Sequence, residues 1–180
     1  MEDKIVYFAA PGQENTAAVF DVVDRALSEL GIRKVVLAST RGDTARRAMD
    51  RYKGQSVCLI IVPHQYGFGP GQRFPQELVE RARQEGHQVH FGTMLFHQEK
   101  LFGEGPAQWV ASFLRAFCQG VKVCVEILLM AGNAGLVTEG EQVVVVAGTG
   151  HGADTALVMT GATSTNLKAM HVSRILCKPL

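Results

Sequence analysis

Residues 34–44 read KVVLASTRGDT: a short run that is apolar at consecutive positions, then hydroxyls, an arginine and a glycine, then a helix start. Lys34–Ala38 lacks the in-out alternation of a half-exposed strand, so it reads as a parallel strand covered on both faces. Asp43–Tyr52 reads as the helix that follows it, and the pair is one βα unit of a doubly covered sheet.

The same unit recurs outward from this point. Upstream, Lys4–Phe8 is a β-branched and aromatic strand that stops at Ala-Ala-Pro-Gly. Val19, Phe20, Val22, Val23, Ala26, Leu27 and Leu30 then recur at helical spacing, and Gly31 ends that helix. Downstream, Val57–Val62 is a second buried strand, Pro75–Glu85 a helix with proline in its first turn, and Gln88–Phe91 a short strand.

Gly92–Gly105 is a long glycine-punctuated loop that carries His97 and suits a ligand-facing role. Pro106–Cys118 carries Trp109, Val110, Phe113, Leu114 and Phe117 on one stripe, which predicts an amphipathic helix. Val121–Ala134 is too long for an ordinary strand, and its Leu-Leu-Met-Ala content favours helix. Gln142–Ala147 and Asp154–Thr160 are strands joined through a glycine loop, and Val172–Cys177 is a last strand expected to run antiparallel at an edge. An open, mostly parallel α/β sheet with helices on both faces follows, in one domain spanning 1–180. Ligands of such sheets bind beyond the carboxyl ends of the strands.

With 180 residues, 47% of them hydrophobic and 19% charged, the chain has the make-up of one globular domain. Eighteen basic against 17 acidic residues leave a net charge of +1, too little to collect nucleic acid or anionic lipid. Cys58, Cys118, Cys124 and Cys177 sit in apolar runs without metal-like spacing and read as small buried hydrophobes, so no metal is expected. The start, MEDKIVYF, has no apolar signal region, and Val121–Leu136 is interrupted by Lys122, Glu126 and Asn133. A cytoplasmic location is expected, with no membrane span.

The loops after the strands carry the candidate chemistry. Ser39, Thr40, Arg41, Gly42, Asp43 and Thr44 combine hydroxyls, a turning glycine, helix-start amides and a cation, the parts that hold a phosphate. The same residues serve a plain cap by Thr40 or Asp43. No Walker-type glycine loop is present. Gly148, Thr149, Gly150, Gly152, Ala153, Asp154 and Thr155 satisfy a dinucleotide-like glycine pattern, but the ALVMT that follows reads as strand, which excludes a Rossmann unit. That loop is either a ligand approach or a bulged hairpin. After the first strand, Asn15 or Thr16 either caps the first helix or meets ligand oxygens at the rim. The aromatics of PHQYGFGPG and His64 suit the apolar body of a planar ligand, or His64 is a surface residue. Glu126, in an otherwise apolar helix, needs a partner if buried and is either a ligand contact or a bond to a nearby loop. The histidines show no HExxH spacing and the chain has no GxSxG elbow, so hydrolase and metalloenzyme readings have no motif.

Taken in order, KIVYFAAPGQENT, VVLASTRGDTA, KVCVEILLMAG and GTGHGADTALVM resemble a family of small stand-alone proteins homologous to the C-terminal α/β domain of pyruvate kinase. The resemblance implies a three-layer α/β/α sandwich over a mixed sheet with an antiparallel late strand. It also implies FMN as a ligand, since some members of the family are associated with bound FMN, with the matched rim residues Gly12, Glu14, Asn15 and Thr16 and Gly148 to Thr155 toward its ring and ribityl chain. In pyruvate kinase the matching loop of this domain receives an effector sugar phosphate, which implies phosphate binding at Ser39, Thr40, Gly42, Asp43 and Thr44. The catalytic barrel has no counterpart in the sequence, so pyruvate kinase activity is not expected. The alternative is a regulatory or assembly module that binds a sugar phosphate or a protein partner without chemistry, in a form compatible with a homo-oligomer.

Overall fold

The computed structural model describes residues 3–99 and 103–180. Residues 100–102, within the expected 92–105 loop, and the first two residues of the N-terminal segment lie outside this description. The elements are β1 (Val6–Phe8), α1 (Thr16–Leu30), β2 (Lys34–Ala38), α2 (Asp43–Tyr52), β3 (Cys58–Val62), α3 (Gln76–Gln84) and β4 (Gln88–Val89). They continue with α4 (Pro106–Arg115), α5 (Gln119–Asn133), β5 (Gln142–Ala147), β6 (Thr155–Thr160) and β7 (His171–Pro179).

One seven-stranded sheet runs in the order β1-β7-β6-β5-β2-β3-β4. β2 pairs in parallel with both β3 and β5, and β4 extends β3 in parallel. The one strand that opposes its neighbours on both sides is β6, paired antiparallel to β5 and to β7. The last strand is not an edge strand as expected. Its far side is covered by β1 in parallel register, Val6 opposite Cys177, so the edge on that side is β1.

The alternation of side chains along each strand divides the interior into two cores. Val35 and Leu37 of β2 face one way, with Leu59, Ile61, Val144 and Val146, onto Val19, Phe20 and Val23 of α1, Met49 of α2 and Leu78 of α3. Val36 faces the other way, with Ile60, Val143, Val145, Leu157 and Met159, onto Leu128 and Ala131 of α5. α5 is buried along nearly all its length because it occupies the middle of that face.

α4 is amphipathic as expected, and its aromatic stripe faces outward. Trp109 is 73% exposed and Phe113 70%, with Val110 and Phe117 also exposed, and only Ala111 of this helix is buried. The reason is positional: α5 already covers the sheet, so α4 packs beside α5 and turns its aromatic stripe outward. The helix also ends at Arg115, and Cys118 becomes the cap of α5, its Sγ accepting from the Val121 amide at 3.4 Å. Cys124 and Cys177 are buried as expected, whereas Cys58 and Cys118 are half-buried. Among the described residues no helix is long and apolar enough to cross a membrane.

Candidate functional site

β2, β3 and β5 end at one rim of the sheet, and a cleft of about 410 Å³ opens there. Its first wall is the turn into α2. The Ser39 amide donates to the Val62 carbonyl at 3.2 Å, which ties the turn to β3, and the buried Ser39 Oγ accepts from the Ala45 amide at 3.1 Å. Gly42 makes the corner with φ 93°, a left-handed conformation that suits glycine, and a Cβ there would run into Leu78 Cδ1.

No side chain of the N-cap residue caps α2. Asp43 is turned outward toward Arg46 at 3.6 Å, and Thr40 makes no capping bond among the described residues. Ser39 therefore serves the third amide of the helix, and the amides of Asp43 and Thr44 have no protein acceptor among the described residues. Thr40, Arg41, Asp43 and Thr44 all line the cleft beside this helix start. Unpaired amides at a helix N-terminus carry partial positive charge and favour an anion.

The second wall is one face of α5. Gln119, Lys122, Val123, Glu126, Ile127 and Met130 recur at three- and four-residue spacing and line the cleft together. Lys122 is 1% exposed and Glu126 2%, and Lys122 Nζ donates to Glu126 Oε2 at 2.5 Å. The other carboxylate oxygen, Oε1, accepts from the Phe96 amide at 2.8 Å and lies 3.2 Å from His97 Nδ1. Burial alone would raise the Glu126 pKa, but the His97 bond, the Lys122 charge and the Phe96 amide together hold it below the ordinary carboxylate value. Burial pulls Lys122 below the ordinary lysine value, against the opposing pull of Glu126. Glu126 thus makes the bond to a nearby loop, through the Phe96 amide, and it also lines the cleft.

The third wall comes from the loop after β3. Pro63, His64, Phe68 and Arg73 line the cleft, with the His64 and Phe68 rings 4.6 Å apart and Phe68 and His97 5.1 Å apart, both edge to face. Gln72 holds the loop by donating to the His64 carbonyl at 2.9 Å, and Gln65 accepts from the Met94 amide at 2.6 Å. Burial, with Arg73 nearby, keeps His64 below the ordinary histidine value.

The glycine loop closes the fourth side with Gly148, Gly150, His151 and Gly152. Its remaining members stand behind it. The Asp154 carboxylate accepts from the Thr149 amide at 3.0 Å, the Gly12 amide at 3.2 Å and the Thr155 hydroxyl at 2.8 Å, so it joins the loop after β5 to the loop after β1. Thr16 Oγ1 donates to the Gln13 carbonyl at 2.6 Å and accepts from the Ala153 amide at 3.0 Å, and Asn15 donates to the Ala10 carbonyl at 2.9 Å. Gly12, Glu14, Asn15, Thr16, Thr149, Asp154 and Thr155 do not line the cleft, and neither does Gly42, which shapes the turn from behind.

Ser39, Thr40, Arg41, Asp43, Thr44, His64, Glu126, Gly148, Gly150 and Gly152 are therefore the expected residues that the fold brings together. Lys122 and Arg73 join them without having been singled out by sequence, as do His97, from the loop expected to face a ligand, and Phe68, from the aromatic loop of His64. Lys122 carried a usable signal, because it precedes Glu126 by one helical turn. Among the described residues no cluster of histidine, cysteine and carboxylate side chains is arranged to hold a metal ion.

Among solved structures, the chain is similar to Cryptosporidium parvum pyruvate kinase in complex with ADP, at 15% identity with a TM-score of 0.39. The match covers 84% of this chain and 24% of that one, so the chain spans about a quarter of the enzyme's length. The sequence pattern of the family described as "Pyruvate kinase, alpha/beta domain" matches residues 17–159, from the start of α1 to the end of β6. The chain belongs to the family of the pyruvate kinase alpha/beta domain.

Proposed function

We propose that the cleft binds a phosphorylated small molecule, FMN foremost, with the phosphate at the Ser39–Thr44 turn. The observation that carries this reading is the start of α2 beside the cleft, where Ser39 serves only the Ala45 amide and the amides of Asp43 and Thr44 stay unpaired among the described residues, with Arg41 beside them. The edge-on cluster of His64, Phe68 and His97 gives the same cleft an apolar and aromatic side suited to a planar ring. The volume of about 410 Å³ lies within the usual range for small-molecule sites. The residues present fit FMN in kind: amides and a cation for its phosphate, hydroxyl and histidine groups for its chain, rings for its ring system.

The test is a visible-range spectrum with mass spectrometry on protein from a flavin-sufficient host, followed by thermal unfolding with added FMN. FMN at 100 times its dissociation constant adds about 2.7 kcal/mol of stability, a clear shift in melting temperature. Colourless protein with an unchanged melt ends the FMN reading. The same melt repeated with sugar phosphates distinguishes the broader phosphate reading, since stabilisation by these alone supports a regulatory module.

The second reading, an assembly module without chemistry, is favoured by the outward stripe of α4, where Trp109 and Phe113 are mostly exposed. The partner in this reading is a second copy of the chain, and the measurement is the sedimentation coefficient across a concentration series. A monomer at all concentrations ends it.

A further inference from the structure

We propose that His97 is a proton acceptor in this cleft, held by Glu126 so that its Nε2 takes the proton of a hydroxyl on a bound phosphorylated metabolite. The proposal rests on the cleft reading above for its ligand class, and on separate observations for the residue.

His97 Nδ1 lies 3.2 Å from Glu126 Oε1 and 3.5 Å from Lys122 Nζ. The two neighbours demand opposite tautomers. A carboxylate accepts, which requires a proton on Nδ1, whereas an ammonium donates, which requires a bare Nδ1. The shorter contact is the carboxylate, and Lys122 already donates to Glu126 Oε2 at 2.5 Å. The proton therefore sits on Nδ1 and points at Glu126, which leaves Nε2 of the neutral ring as a lone pair.

Nε2 makes no hydrogen bond among the described residues, and it is not among the buried polar atoms left without a partner. Nε2 therefore keeps some exposure to solvent, and His97 is one of the residues that line the cleft. Orientation by a carboxylate at Nδ1 and an open Nε2 are the two features that a general base requires. The surroundings are mixed in charge. Lys122 and Glu126 come from α5, His64 and Arg73 from the loop after β3, and Glu99 and Arg115 act on Lys122 from further out. With Glu126 and Lys122 offsetting each other, the pair leaves no net charge to repel a cationic intermediate ring. In the step itself the ligand O–H bond breaks, an N–H bond forms at Nε2, and the resulting imidazolium is stabilised by Glu126. Reversal of the transfer restores the neutral ring.

The apo protein decides the tautomer. With ¹⁵N-labelled histidine, long-range proton–nitrogen correlation spectra on the neutral ring are expected to show His97 protonated at Nδ1. A proton on Nε2 overturns the proposal and needs no variant. Acylation by diethyl pyrocarbonate, which attacks the unprotonated nitrogen, is expected to reach His97 at least as fast as the exposed His151 and His171. Glu126→Gln, which removes the negative charge beside Nδ1, should slow it several-fold. Acylation slower than at the exposed histidines, or unchanged in E126Q, overturns the proposal. Adding FMN separates this inference from the cleft reading. Shifts at the Ser39–Thr44 amides and at His97 Nε2 support both, and shifts at the amides alone overturn the role of His97 while leaving phosphate binding intact. Shifts at neither remove the FMN reading, and the tautomer and acylation results then decide for His97.

Discussion

Lys122 and Glu126 meet across one helical turn with both side chains out of water, and that position makes them interdependent. Removing one partner of a buried pair strands the other charge, at a cost of roughly 3–5 kcal/mol. Lys122→Met is expected to fall near the low end, about 3 kcal/mol, because Glu126 keeps the Phe96 amide and His97. Urea unfolding checks the loss, and Lys122→Met/Glu126→Leu should cost less than the two single losses summed. Glu126 also sets an acid limit. Its folded pKa lies below its unfolded value, so its contribution is full above the ordinary carboxylate range, about 4.3, and is lost as pH falls through the folded value. Unfolding midpoints measured between pH 7 and pH 3 should fall less steeply in Glu126→Gln than in the parent. The sequence marks Glu126 plainly as a charge in an apolar helix, and its lysine partner is within reach of the same argument. His97 is not, because 29 positions separate it from Glu126 and only the packing of the 92–99 loop on α5 brings them together.

At the scale of elements, the turn into α2 and the outer face of α4 make opposite demands. Gly42→Ala forces a side chain into a left-handed backbone and against Leu78, and a loss of about 1–3 kcal/mol is expected in thermal or urea unfolding. FMN or phosphosugar affinity should drop with it, since the amides of Asp43 and Thr44 depend on that corner. Trp109→Ser tests α4. A buried tryptophan of this kind would cost about 3–5 kcal/mol on truncation, but the exposed one should change stability by about 0.5 kcal/mol or less. Any larger effect in sedimentation than in unfolding marks the stripe as a contact surface. Helical periodicity identified α4 and its aromatic stripe but not which way the stripe faces, because periodicity locates an apolar stripe without naming what covers it. The strand ends and the glycine loops were readable for a related reason: each is a local transition in pattern, from apolar run to glycine and hydroxyl.

For the whole molecule, the α/β class follows from the repeated strand and helix pattern, whereas the order of strands does not. Neighbouring strands in space need not be neighbours in sequence, and local pattern is silent about the pairing of β1 with β7. Truncation after Met170 therefore has a defined outcome. It removes the one sheet neighbour that β1 has among the described residues and one of the two of β6, and the remaining chain should lose its cooperative thermal transition by circular dichroism. Val6 and Cys177 are partners across 171 positions of chain, a separation that makes their encounter late and slow compared with local contacts. A nascent copy would hold β1 without its β7 partner until β7 has left the ribosome, so the half of the sheet around β2, β3 and β4 is the part able to organise earlier in synthesis.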